Sequence, residues 1–129
     1  MNENKINEGK KILVVEDDNF ISEVYALKIR SEGFEVELAF DGEMALKKFD
    51  EFKPDLVLLD IIIPKLDGWG VLAEIRKRNK TVPVVMLTNL GDKENIEKGG
   101  EAPVSDYLIK SFFTPEEIVA RIKKVMKMK

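Results

Sequence analysis

The chain has 129 residues, 44% of them hydrophobic and 35% charged, with a formal net charge of −3. That is the size and balance of one globular domain able to bury a single core, not of a disordered segment. It contains neither cysteine nor histidine, which excludes disulfides, thiolate nucleophiles, imidazole bases and the commonest zinc ligands. Any chemistry must therefore run on carboxylates, lysines, hydroxyls or a bound ion.

Residues 1–9 read as a flexible lead-in, polar and without the apolar stretch of a signal peptide. The folded domain is expected over 10–129. Lys11 to Val15 is a continuous apolar run behind one lysine, the pattern of a strand buried on both faces, and it ends in Glu16-Asp17-Asp18-Asn19. Asp18 or Asn19 can cap a helix whose apolar stripe is Ile21, Val24, Tyr25 and Ile29, with Gly33 to stop it. Phe34 to Ala39 alternates with period two, which marks an edge strand with one wet face. Asp41 caps a second helix with Ala45, Leu46 and Phe49 inward, ending before Lys53-Pro54.

Leu56 to Leu59 is a second wholly apolar run, and it delivers Asp60 at its carboxyl end. Pro64 to Gly68 is a turn opening a helix through Val71, Leu72 and Ile75. Val82 to Thr88 is the fourth strand, with proline tolerated near its start. A short, polar helix is expected over 91–100, and a last strand within 102–109. Thr114-Pro115-Glu116-Glu117 is a capping box with proline at the first helical position, starting a helix with Ile118, Val119, Ile122, Val125 and Met126 inward.

Five strands alternating with five helices predict an α/β fold, a (βα)5 doubly wound parallel sheet. The alternating strand belongs at an edge, which fits the flavodoxin-like order 2-1-3-4-5. That order sets the first and third strands side by side and brings Glu16 and Asp17 next to Asp60. Three carboxylates at one crevice repel each other unless a pKa rises or a hard cation is bound. An oxygen donor set with few protein ligands suits Mg²⁺, which keeps several waters and is commonly shared with a phosphate. Thr88 ends the fourth strand and Lys110 follows the fifth, so a hydroxyl and an ammonium can reach the same place and bind a phosphoryl group. A carboxylate can itself be the nucleophile, giving an acyl phosphate without a histidine base.

These motifs, Ile12-Leu13-Val14-Val15-Glu16-Asp17-Asp18, Leu58-Leu59-Asp60-Ile61-Ile62-Ile63-Pro64 with Asp67-Gly68, Thr88, and Asp106-Tyr107-Leu108-Ile109-Lys110, stand together in one order. In that order and spacing the chain resembles a single-domain response-regulator receiver of the CheY-like family over about residues 10–128. The resemblance implies a phosphorylation-dependent switch of a two-component phosphorelay, with Asp60 as phosphoacceptor. By it Asp17 and Asp60 bind Mg²⁺ directly, Glu16 helps through water and the Ile62 carbonyl is a main-chain ligand. Thr88 and Tyr107 form the switch pair that relays the change to the face of the fourth helix, fifth strand and fifth helix, and Lys110 pairs with the phosphoryl group. The implied partners are a sensor histidine kinase or phosphotransfer protein and a downstream protein target, with no direct nucleic acid, no membrane and a cytoplasmic location.

The chain also departs from the family pattern. Ser111 stands where proline commonly follows the lysine, so a trans bond is expected there. Lys98 to Ser105 replaces the usual small-residue turn, and Asn89 follows the switch hydroxyl. Ile62 and Leu90, two residues beyond Asp60 and Thr88, cannot orient an attacking water, so catalysis is expected to be limited to self-phosphorylation and slow self-dephosphorylation. A flavodoxin-like cofactor protein would need a phosphate cradle where Glu16-Asp17-Asp18 stands, and a haloacid-dehalogenase-type phosphatase would need an Asp where Ile62 stands. The alternative that remains is a pseudo-receiver, an interaction module not regulated by phosphorylation. Trp69, the single tryptophan, lies just past the phosphoacceptor turn and would report on Mg²⁺ and on beryllofluoride, a phosphoryl mimic.

Overall fold

The computed structural model describes residues 9–89 and 104–127. The elements in order are β1 (Lys11–Val15), α1 (Asn19–Ser31), β2 (Glu35–Ala39), α2 (Gly42–Phe52), β3 (Leu56–Leu59), α3 (Gly68–Arg78), β4 (Val84–Thr88), β5 (Asp106–Ile109), a 3-10 turn (Lys110–Phe112) and α4 (Pro115–Val125). The helix expected over 91–100 lies outside the described residues. All neighbouring strands pair in parallel, in the order β2-β1-β3-β4-β5. The alternating strand β2 is at an edge, as its wet face requires.

Capping chemistry fixes where the helices begin. Asp18, Asp41, Asp67 and Thr114 each accept a hydrogen bond from a backbone N–H of the first turn that would otherwise lack a partner. The Thr114–Glu117 capping box is complete in both directions. Gly33 follows α1 at φ +96°, where a side chain would be strained. Lys53 ends α2 in the left-handed region at φ 52°, because the proline that follows disfavours the α conformation there.

The period of two along each strand divides the core into two layers. Ile12, Val14, Leu56, Leu58, Val85, Leu87 and Leu108 pack with Tyr25, Ala26 and Ile29 of α1 and with Ile118, Val119 and Ile122 of α4. Leu13, Val15, Val57, Leu59, Val84 and Met86 pack on the other face with Ala45 and Phe49 of α2 and with Val71, Leu72 and Ile75 of α3. The same parity runs on past the strand ends. It sends Glu16, Asp60 and Lys110 toward the α1/α4 side, and Thr88 and Tyr107 toward the α2/α3 side.

Candidate functional site

Each element of the crevice at the carboxyl edge of the sheet is positioned by backbone hydrogen bonds. The Glu16 N–H donates to the Ala39 carbonyl at 3.0 Å and the Asp60 N–H to the Val15 carbonyl at 3.0 Å. The first and third strand ends are thereby held in register. The loop between β3 and α3 is gripped at both ends. The Gly42 N–H donates to the Pro64 carbonyl at 3.0 Å and the Gly68 N–H to the Ile61 carbonyl at 2.8 Å. A Cβ on Gly68 would lie 2.3 Å from the Asp60 carbonyl oxygen, so only glycine lets α3 start this close to the phosphoacceptor candidate.

Glu16, Asp17 and Asp60 converge as the strand order requires. One carboxylate oxygen of each lies within 4.8 Å of the others. Asp17 is exposed, while Glu16 and Asp60 are buried. Lys110 reaches over from the end of β5, donating to Asp60 Oδ2 at 2.9 Å and making a close contact with Glu16 Oε2. The other Glu16 oxygen accepts from the Asp18 N–H at 3.1 Å, and the Ile62 N–H leans on Asp60 Oδ1 at 3.4 Å. Burial pushes the Glu16 carboxyl above its usual pKa against the pull of Lys110. For Lys110 burial works downward, but its bonds to Glu16 and Asp60 outweigh it and hold the ammonium above its usual value.

These side chains border a crevice of about 340 Å³ that also takes in Asp18, Ile21, Ile62, Thr88 and Asn89. Thr88 is buried at its edge. The donor set fits a hard divalent cation: three carboxylates, all oxygen donors, face one ammonium and leave negative charge to be neutralised. Beneath the crevice, a small interior space is lined by Glu16, Asp60 and Tyr25 of α1. Burial raises the Tyr25 hydroxyl above its ordinary pKa, with Lys110, Glu16 and Asp60 close enough to act on it. Helical spacing marks Tyr25 only as a core residue; its hydroxyl beside the acidic cluster is disclosed by the packing alone. Tyr107 is half-buried in the α2/α3 layer, its ring 6.5 Å from that of Trp69 and inclined by 18°. Leu90 lies outside the described residues, and the Lys110–Ser111 bond is trans.

Residues 12–123 match the model of the response regulator receiver domain. This chain belongs to that family. It is 43% identical over 118 residues to a probable transcriptional regulator ycf27 of Guillardia theta, covering 92% of this chain and 46% of that protein. It is 39% identical over 119 residues to the alkaline phosphatase synthesis transcriptional regulatory protein PhoP of Bacillus subtilis (strain 168), covering 92% and 49%. The chain thus spans about half the length of the curated relatives it matches. Among solved structures, the beryllofluoride-activated N-terminal receiver domain of Klebsiella pneumoniae RstA superposes with a TM-score of 0.85 at 31% identity, covering 92% of this chain and all of that one. The receiver domain of the Francisella response regulator 1452 gives 0.84 at 33% identity, covering 92% and 98%. The receiver is therefore a two-component signalling module with the expected strand order. No helix among the described residues is long and apolar enough to cross a membrane.

Proposed function

We propose that this receiver is a phosphorylation-dependent switch in which Asp60 takes a phosphoryl group from a sensor histidine kinase or phosphotransfer protein. The observation that carries the reading is the meeting of Glu16, Asp17 and Asp60 within 4.8 Å, with Lys110 2.9 Å from Asp60. A carboxylate oxygen of Asp60 forms the new bond to phosphorus as the bond to the donor breaks, and the donor leaves with the electron pair. Glu16, Asp17, Asp60 and the Ile62 carbonyl would hold Mg²⁺, which neutralises the phosphoryl oxygens. Lys110 then turns from the Asp60 carboxylate to a phosphoryl oxygen, and the Thr88 hydroxyl donates to another.

Movement of Thr88 toward the phosphoryl group changes the space beside Tyr107 on the α2/α3 face, a two-state element biased by a local charge. Output passes to a downstream protein from the surface around β5 and α4. Because the curated relatives are named transcriptional regulators, we extend the proposal to an output that reaches transcription, delivered by the receiver through protein contact. Its own catalysis is confined to taking up the phosphoryl group and losing it slowly. Ile62, 61% exposed at the crevice, offers only carbon where a water would need orienting.

The deciding experiment loads the protein with acetyl phosphate and Mg²⁺ and weighs it intact. The expected result is a gain of one phosphoryl group, labile to hydroxylamine, absent without Mg²⁺ and absent in Asp60→Asn, persisting for many minutes. No gain under any loading condition, with Trp69 emission unmoved by Mg²⁺ and beryllofluoride, would identify a pseudo-receiver instead.

A further inference from the structure

The phosphoacceptor and the candidate switch tyrosine stand on opposite faces of one sheet. Asp60 continues the parity of Leu56 and Leu58, which pack with α1 and α4. Tyr107 sits in the layer of Met86, its register partner, against α2 and α3. A signal from one to the other must pass around the carboxyl edge of the sheet. Thr88 offers one route, since it shares the Tyr107 face and borders the Asp60 crevice.

A second route runs through the start of α3. The Gly68 N–H is bonded to the Ile61 carbonyl at 2.8 Å, and its Cα lies so near Asp60 that no Cβ fits. The next residue is Trp69, whose backbone is thereby tied to the phosphoacceptor loop. Its indole extends to the other face and stacks on Tyr107, with centroids 6.5 Å apart and planes 18° from parallel. Both rings pack against the same buried layer. A stack of this geometry shifts an equilibrium by about two- to tenfold beyond the area it buries.

Resting on the switch reading above, we infer that Trp69 is a positioning residue for Tyr107, joining the phosphoacceptor loop to the switch ring across the edge of the sheet through the Gly68–Trp69 step. The stack makes the two rings one mechanical unit. Displacement of the loop moves the indole, and any change in the Tyr107 ring is felt at the loop, because coupling between two sites is reciprocal.

The chain has two tyrosines and one tryptophan, so both partners can be watched separately. In protein labelled with fluorotyrosine, Tyr25→Phe assigns the fluorine resonance of Tyr107. Mg²⁺ with beryllofluoride should shift that resonance in the wild type. In Trp69→Leu the resonance should start from a different position and respond by less than half as much, while Trp69→Phe, which keeps a ring, should recover most of the response. In the reverse direction, Tyr107→Leu should cut the response of Trp69 emission to beryllofluoride by at least half. A wild-type-sized Tyr107 response in Trp69→Leu, or an undiminished Trp69 response in Tyr107→Leu, would overturn the coupling while leaving the switch intact. A wild type in which neither ring responds would overturn the switch itself, and the coupling with it.

Discussion

Lys110 Nζ lies 2.9 Å from Asp60 Oδ2 and also contacts Glu16, so the ammonium, reaching from the end of β5 on the same face of the sheet, holds two of the three clustered carboxylates. Its side chain is 9% exposed, against 8% for Asp60 and 4% for Glu16, which puts the triad in a region where charges are poorly hydrated. Removing one partner of a buried ion pair costs about 3–5 kcal/mol, because the charge left behind has lost its compensation. Lys110→Met should therefore lower stability by about 3 kcal/mol in the absence of divalent metal. The same change takes a competing cation out of the acidic cluster, so Mg²⁺ affinity should rise several-fold while beryllofluoride affinity falls more than tenfold. Calorimetric titration with each in turn checks the opposite signs. A parallel loss of both affinities would mean that Lys110 only holds the fold.

Gly68 is set by contact rather than by backbone conformation. A Cβ there would meet the Asp60 carbonyl oxygen at 2.3 Å and the Ile61 Cα at 2.7 Å, and both are backbone atoms that cannot rotate away. Gly68→Ala should cost about 1–3 kcal/mol, the usual range for forcing a methyl into a packed site. It should also displace the loop that carries Asp60 and weaken beryllofluoride binding. Urea unfolding gives the first quantity and Trp69 emission the second.

Much of this arrangement was legible because strand ends carry their chemistry in a fixed parity. The apolar runs before Glu16 and Asp60, and the alternating run in β2, were enough for the strand order, and with it the meeting of Glu16, Asp17 and Asp60. The helix starts were nearly as plain: Asp41 and Thr114 cap as read, Asp18 rather than Asn19 caps α1, and Asp67, read only as part of the turn opening α3, proves to be its cap. What the residues did not disclose depends on side-chain direction across long separations. Lys110 was read as a partner for a phosphoryl group, and its bonds to both Glu16 and Asp60 come from the depth to which β5 places it. Tyr25 reads as core by spacing, since a tyrosine on an apolar stripe looks the same whether its hydroxyl meets solvent or an acidic cluster. The Trp69–Tyr107 stack joins the start of α3 to β5 within one layer of the fold, and no local pattern encodes it.

Glu32 at the end of α1 and Lys123 of α4 are 2.6 Å apart, tying together the two helices that cover the α1/α4 face. The Lys123 hydrogen bond holds the Glu32 carboxyl below its usual range against a smaller effect of burial, with the charges of Lys123 and Lys28 assisting. A depressed carboxyl contributes stability that is present above its unfolded value of 4.5 and is lost as pH falls through the depressed folded value. Both side chains are partly solvated, so the pair is worth at most about 1 kcal/mol. Glu32→Gln should thus be slightly less stable than the wild type at neutral pH, and the difference should close as the pH drops below 4.5. Urea midpoints for the two proteins across that range measure it; a gap independent of pH would place the effect of Glu32 in packing.

Thr88 ends β4 buried, 1% exposed, and borders the crevice that Lys110 also lines. Its hydroxyl is the group assigned to a phosphoryl oxygen, and a hydrogen bond to a charged acceptor is worth about 1.5–3 kcal/mol. Thr88→Val keeps the branched shape that packs on the α2/α3 side and removes only that donor. Beryllofluoride affinity should then fall by about tenfold to a hundredfold, the factor that energy corresponds to. Mg²⁺ affinity should be unchanged, because the carboxylates Glu16, Asp17 and Asp60 that would hold the ion are untouched. Equal losses for metal and mimic would show that the substitution had disturbed the acidic cluster rather than the phosphoryl contact. An unaltered beryllofluoride affinity would remove Thr88 from the switch.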